Sequence, residues 1–414
     1  MIADSAPDAA PARLFSTELV ALCLVLVAAF GTISAFYGFY HYLGAIGIPV
    51  AWRGFLVGVE PMAALGFRIL LLPWLDTRNA MRAMLPALAA LSVVSCAFTW
   101  AASPETILLL RIAQGAAFVL LTSAAVILLS EMIPAARSGQ GFMVISIATV
   151  LPFAAVPPLC EALLPRVASE ADIYAIASVF SVVALVIYVV LRRRIAGALT
   201  GASGRPASRP TMSGVTAVLR TRSAALVLGA GFFAYFAHAT VFFFAKSLTI
   251  DAGISRVGLF FTVSMVTMLA LRAAGGSLFD RTDKRHMLAI GLVVMGASVQ
   301  GLAMVTTEAP FLAIALAYGL GVGVAMPLLN AVLFTCSPAP YRGLSINMGL
   351  CAMDAAYCLA PYAGGAAVAL GASFGTLFSA AALAVVLAVV AVLAIRPETR
   401  APAIVSTTER GVTS

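Results

Sequence analysis

Apolar runs of about 20 residues, the length a helix needs to cross a bilayer core of roughly 30 Å, follow one another along almost the whole chain. Cutting the sequence at polar or Pro/Gly-rich breaks yields twelve: 19–41, 52–75, 83–102, 106–130, 141–164, 173–191, 224–248, 257–279, 287–306, 310–334, 344–369 and 373–395. Only 10% of the residues are charged and 62% are hydrophobic, whereas soluble domains carry about 25% charged residues. So few charges cannot clothe a water-facing surface. The expected fold class is all-α integral membrane, with twelve transmembrane helices. Trp52, Trp74 and Trp100 fall at span ends, where amphipathic rings prefer the interface.

Basic residues orient the spans. With both termini inside, eighteen of the twenty-five Lys and Arg residues face the cytosol and only Arg53, Arg166 and Arg256 face outside, the bias of the positive-inside rule. The net charge of +8 is therefore a topology signal, and no nucleic-acid partner is implied. The N-terminus MIADSAPDAAPARLFSTE lacks a basic n-region and a cleavage site, so it reads as a cytosolic tail before an uncleaved helix. Six cysteines show no disulfide or zinc-ribbon spacing. The expected organisation is a tail (1–18), a six-helix bundle (19–191), a cytosolic linker (192–223), a second six-helix bundle (224–395) and a tail (396–414). Gly, Ser and Pro make the linker flexible, and its end, VTAVLRTR, reads as a basic amphipathic segment suited to anionic headgroups.

The two bundles are copies. Arg68 precedes Asp76 by eight residues and Arg272 precedes Asp280 by eight, at an offset of 204; Pro134 and Pro338, and Pro157 and Pro361, repeat at that same offset. Six helices per copy give both halves one orientation, a parallel repeat used by transporters.

Within these copies, GSLFDRTDKRHML (Gly276 to Leu288) resembles the loop signature of the major facilitator superfamily, Gly-x-Leu-x-Asp-Arg-x-Gly-Arg-Arg, and RIAQGAAF (Arg111 to Phe118) is similar to the fourth-helix signature of its proton-coupled members. The resemblance implies two parallel six-helix repeats rocking about a central site. It implies gating by the loop residues Asp280, Arg281, Lys284 and Arg285 and by Asp76 and Arg82 of the worn first copy, each Asp meeting the start of the fifth helix of the other half. Arg68 and Arg272 lie two turns from the same surface and read as gate pairs. The resemblance also implies that Arg111 organises a proton or substrate site; the plain alternative is a structural counter-charge.

An ionisable side chain in hydrocarbon costs at least about 2.5–3.5 kcal/mol, which makes it a functional candidate. Asp354 lies roughly 15 Å from the cytosolic end of span eleven and Glu60 about 12 Å below the outer end of span two. Burial disfavours the charged form of an acid, so either carboxylate can carry a coupling proton when its hydration changes. Glu60 can equally pair with Arg111 structurally. Cys351, Asp354 and Cys358 share one helix face, which could meet a soft metal or simply pack. No resident metal or cofactor is expected.

By family analogy spans one, four, seven and ten line the cavity. Tyr37, Tyr40, His41, Gln114, Thr122, Tyr235, His238, Tyr318 and Asn330 lie on them, and Tyr357 joins from span eleven. Aromatics with a few polar handles suit an amphipathic solute. His238 is either a titrating cavity residue or a neutral hydrogen-bonded one. Gly319, Gly321, Gly323 and Pro327 in span ten form a candidate hinge.

No nucleotide-binding loop and no nucleophile elbow or metal-ligand cluster occurs, which argues against a pump or an enzyme. The resulting expectation is a monomeric, proton-coupled antiporter in the plasma (inner) membrane that exports a drug-like compound, a sugar derivative or a secreted metabolite such as a metal chelator. Uptake of an organic anion on Arg68, Arg111 and Arg272 is the runner-up. A transport-inactive sensor on the same scaffold is the alternative of another class.

Overall fold

The computed structural model describes residues 16–71, 74–75, 77–133, 138–199, 212–254, 256–274 and 283–395. Twelve long helices run through them: α1 (Thr17–Ala45, with a 3-10 turn at Ala35–Gly38), α2 (Val50–Leu71), α3 (Thr77–Trp100), α4 (Pro104–Met132), α5 (Ser138–Leu163) and α6 (Glu170–Leu199). The second set is α7 (Arg222–Asp251), α8 (Val257–Ala274), α9 (Lys284–Ala303), α10 (Glu308–Cys336), α11 (Arg342–Ala369) and α12 (Phe374–Leu393). Eleven are long and apolar enough to span a membrane; α8 is as apolar but shorter within the described residues. No strand occurs among the described residues.

Local chemistry sets the helix ends. The Ser16, Ser103 and Ser373 hydroxyls accept from the backbone N–H three residues on, and Pro104 opens α4, satisfying groups a helix start leaves bare. At the outer ends of α1 and α7, Gly47 (φ 81°) and Gly253 (φ 70°) take the left-handed conformation. The following amides then fold back, Ile48 N–H to the Leu43 carbonyl at 2.9 Å and Ile254 N–H to the Thr249 carbonyl at 2.8 Å, the bond that closes a Schellman cap.

The repeat is visible in the helices. Pro104 and Glu308, and Glu170 and Phe374, begin corresponding helices 204 residues apart. Packing repeats too. Gly115 of α4 lies against the Glu60 carbonyl of α2, and Gly319 of α10 lies against the Ser264 carbonyl of α8, so a Cβ at either glycine would collide with backbone. Lipid tails are as apolar as leucine, so helix association in a membrane depends on close approach of this kind. Gly321 and Gly323 press on Met295 and Met268 in the same way. The glycine run in α10 thus serves packing, and α10 remains one continuous helix through Pro327.

Within the first half α1 packs on α5 and α6, and α4 on α2 and α3; within the second α7 packs on α11 and α12, and α10 on α8 and α9. The halves meet along α2–α11 and α5–α8, with a smaller contact of α1 on α7. Trp52, Trp74 and Trp100 are exposed. Large apolar side chains such as Val93, Leu109, Val190 and Leu383 are more than half exposed, the outer face a bilayer would cover.

Two details differ from expectation. α6 stays helical past Arg192, Arg193 and Arg194 to Leu199, into what reads as linker, because a helix outside the bilayer needs no apolar run and cations favour its C-terminal end. The segment before α7 forms a helix, Met212–Arg220, whose Gly214 and Val218 are buried. Gly214 abuts Tyr341 and Leu344 at the start of α11, so this face covers protein.

Candidate functional site: a charge network between the halves

The first half holds a buried ionic site. Glu60 on α2 faces Arg111 on α4, Oε2 to Nη2 at 3.5 Å, with side-chain exposures of 9% and 1%. Arg111 also donates to Gln114 Oε1 at 2.6 Å and to the Val57 carbonyl at 3.0 Å. Its guanidinium lies 4.7 Å from the Phe39 ring centre and 5.5 Å from that of Phe36, a favourable place for a planar cation. Gly115 brings α4 close enough to α2 for this contact. At the repeat-related positions of the second half stand Ser264, Ala315 and Tyr318, and α8 and α10 pack there without a charge. The second half therefore packs the corresponding helix pair without an ionic contact.

A second pair joins the halves. Arg68, two turns below Glu60 on α2, reaches Asp354 on α11, Nε to Oδ2 at 2.5 Å. The side chains are 18% and 10% exposed, so water reaches this pair sparingly. Asp354 sits about 18 Å from the start of α11 at 1.5 Å per residue, since that helix begins at Arg342. Glu60, Cys351 and Tyr357 lie within its electrostatic reach. The expected place of Arg68 is a gate near Asp76; its observed partner is Asp354. Sequence order cannot announce a pairing 286 residues apart.

Toward the ends where α6 and α8 begin, the halves are closed. Lys246 Nζ on α7 bonds Glu170 Oε1 on α6 at 2.7 Å. The Lys246 stem passes over Gly38, where a Cβ would meet it, and its ammonium stands 5.5 Å from the Tyr37 ring centre. Glu161 of α5 accepts from the Gly258 N–H at 2.7 Å, a carboxylate on the N-terminal turn of α8, which the helix dipole favours. Tyr40 packs on Phe244 and Phe374, and Gly54 on Gly365, backbone to backbone. Sequence reasoning misses the Lys246–Glu170 and Glu161–Gly258 contacts. A lysine inside an apolar run is the available signal.

In the second half His238 Nδ1 and the Tyr318 hydroxyl share a hydrogen bond of 2.5 Å, with stacked rings. Tyr357 stands edge-on to His238 and to Phe243. Tyr235 and Asn330 line a small cavity with Leu329 and Gly349. Arg272 donates to the Ser146 hydroxyl of α5, a polar contact across the halves where Arg68 makes an ionic one.

Several expected site residues land elsewhere. Gln114 is fully buried and engaged by Arg111, and Thr122 bonds the Phe118 carbonyl, so neither faces an open cavity. Tyr37 and Tyr40 are buried in the outer closure; His41 is half-buried. Arg285 donates to the Leu393 carbonyl at 2.5 Å, tying α9 to α12 of its own half instead of gating between halves. Arg82 and Lys284 are exposed. Asp76, Asp280 and Arg281 lie outside the described residues. Cys351 and Cys358 are free thiols, and among the described residues no cluster of three metal-ligating side chains forms.

Comparison with known proteins agrees with this geometry. Residues 227–413 match the family model of the Major Facilitator Superfamily. No curated protein matches the sequence. Among solved structures, the nucleoside transporter NupG superposes with a TM-score of 0.73 at 14% identity, over 92% of this chain and 99% of that one. A POT family transporter in complex with a thioalcohol-conjugated peptide gives 0.73 at 12% identity, over 91% and 95%. The peptide transporter POT in complex with sulfate gives 0.71 at 13%, over 92% and 96%. The second half thus matches the family model of the Major Facilitator Superfamily, and nearly the whole chain shares one fold with these solved transporters.

Proposed function

We propose that this transporter exports an amphipathic small molecule in exchange for protons by alternating access, with Asp354 as the proton carrier. The observation that carries the reading is the Arg68–Asp354 pair, because its partners sit on different halves. Residues 19–191 and 224–395 are the two moving bodies, joined by the 192–223 linker, in a plasma-membrane monomer with cytosolic termini. The state described is closed outside by Lys246–Glu170 and Glu161–Gly258. The pair holds α11 on α2. A proton on Asp354 removes half of it and leaves the half-buried Arg68 with an uncompensated charge, a change worth at most the about 3–5 kcal/mol of a fully buried pair. Separation of the halves hydrates Arg68 and relieves that cost. Charged and titratable neighbours of Asp354 are Arg68, Glu60, Cys351 and Tyr357; Glu60, held by Arg111, is the nearby acid that keeps its cation through the cycle.

The His238–Tyr318–Tyr357 group offers rings and two or three polar handles, which suits a solute with an apolar body. The nucleoside and peptide transporters with the same fold handle organic solutes of moderate size, which supports that class. Export rests on the Arg111–Gln114–Gly115 run. Uptake of an organic anion is the second reading, favoured by Arg272, which no carboxylate neutralises among the described residues.

Proteoliposomes of known orientation with a trapped pH indicator test the proposal. Solute efflux from the cytosolic face should carry protons inward, and D354N should abolish the proton signal. Solute movement with no proton signal in the wild type contradicts it.

A further inference from the structure

We propose that Arg272 is the seat for an anionic group on the transported solute, so that the substrate is an organic anion with an aromatic or apolar body. The inference rests on the transporter reading and sharpens its substrate class.

Four cations lie within the spans: Arg68, Arg111, Lys246 and Arg272. Three carry their own carboxylate, at 2.5 Å from Asp354, 3.5 Å from Glu60 and 2.7 Å from Glu170. Arg272 meets only the Ser146 hydroxyl among the described residues, and its Nε is buried without a hydrogen-bond partner. Guanidinium does not give up its proton in proteins, and a buried charge without a partner is costly. Among the described residues, this side chain therefore lacks the anion that the other three possess.

Its position says which anion fits. Arg272 reaches across the α5–α8 contact to Ser146 of the opposite half. It lies in electrostatic reach of Tyr235, which is hydrogen-bonded to Asn330. Both line a small cavity between α7, α10 and α11, which Arg272 does not itself border and which holds about one water in this state. A carboxylate or phosphate held by the free edge of the guanidinium would lie on the side of Tyr235, and the small cavity with its apolar wall of Leu329 and Leu333 would have to widen to take the rest of the molecule. Planar bidentate recognition of such groups is what arginine does best. Because Ser146 belongs to the other half, an anion on Arg272 would also compete with a bond between halves, which links binding to their separation.

Thermal unfolding of the full-length protein in uncharged detergent tests this with benzoate against its neutral analogue benzamide, and with inorganic phosphate. Benzoate or phosphate should raise the midpoint in a concentration-dependent way while benzamide does not. R272Q should weaken that response at least tenfold, R272K should leave an intermediate one, and R193Q, at an exposed position, should leave it unchanged. If neither anion outdoes benzamide, or if R272Q responds like the wild type, the proposal is overturned. Nanodiscs of phosphatidylcholine and of phosphatidylglycerol separate the other source of anions. An Arg272-dependent shift seen only with phosphatidylglycerol assigns the arginine to a lipid headgroup and also overturns it. Anion binding without proton-linked flux would sink the coupling mechanism and keep the site; proton-linked flux without anion binding would do the reverse.

Discussion

Arg68 on α2 and Asp354 on α11 meet at 2.5 Å across the boundary between the two halves, while Glu60, two turns above Arg68 on the same helix, is held by Arg111 inside the first half. One helix thus carries an ion pair within one half and an ion pair between the halves.

Reversal of the pair between the halves is the first test. R68D and D354R alone each leave a like charge facing a buried one and should abolish transport. Each should also lower stability by about 3–5 kcal/mol, the cost of an uncompensated buried charge. The double variant R68D/D354R should recover most of the stability, read as the unfolding midpoint in detergent.

The Glu60–Arg111 pair should behave differently. Because the second half packs Ser264 and Ala315 at the corresponding positions, E60S/R111A should fold. R111A alone, which strands Glu60 against Gln114 and the rings of Phe36 and Phe39, should be the less stable of the two. A double-mutant cycle on unfolding midpoints gives the coupling; additive effects would show that the two side chains do not interact.

The outer closure predicts an accessibility change. Gly54 rests on the Gly365 backbone, so the side chain of G54V has no room and should hold the outer face open. Cys160 is 6% exposed beside Lys246 and Glu170. In a variant keeping only this cysteine, a membrane-impermeant maleimide should label it at least tenfold faster in G54V than with Gly54 present. Equal rates would mean that the glycine contact does not govern closure.

Asp283 caps α9, accepting from the Arg285 N–H at 2.9 Å and pairing with His286 at 2.7 Å. These bonds hold its carboxyl below the ordinary aspartate value. A depressed folded value stabilises above the unfolded value and is lost as pH falls through the folded one. D283A should therefore cost about 1 kcal/mol of local helix stability at pH 7, and nothing once the acid is protonated well below pH 4. Hydrogen exchange at the first amides of α9 reads both.

Much of this molecule is legible in its sequence. Apolar run length locates the helices because lipid imposes one length on them all, and the 204-residue offset that links Arg68 to Arg272 also links Gly115 to Gly319 at the same kind of close contact. Arg111 and Glu60 can be paired because both lie in the outer part of one bundle. Partners drawn from different bundles are not legible: Arg68 with Asp354, Lys246 with Glu170 and Glu161 with Gly258 all depend on how α2 meets α11, α6 meets α7 and α5 meets α8. The reach of α6 to Leu199 is hidden for another reason, since hydropathy stops at Arg192 and hydrogen bonding does not.

The most direct test of a proton-released bond between the halves needs no substrate. Spin labels at R82C and K284C, two exposed positions at the start of α3 and α9, report the separation of the inner ends by pulsed dipolar spectroscopy in protein freed of its other reactive cysteines. The distance distribution should shift between pH 8 and pH 5, and D354N should show the pH 5 distribution at both. A D354N distribution that still moves with pH, or a parent that does not move at all, contradicts the account.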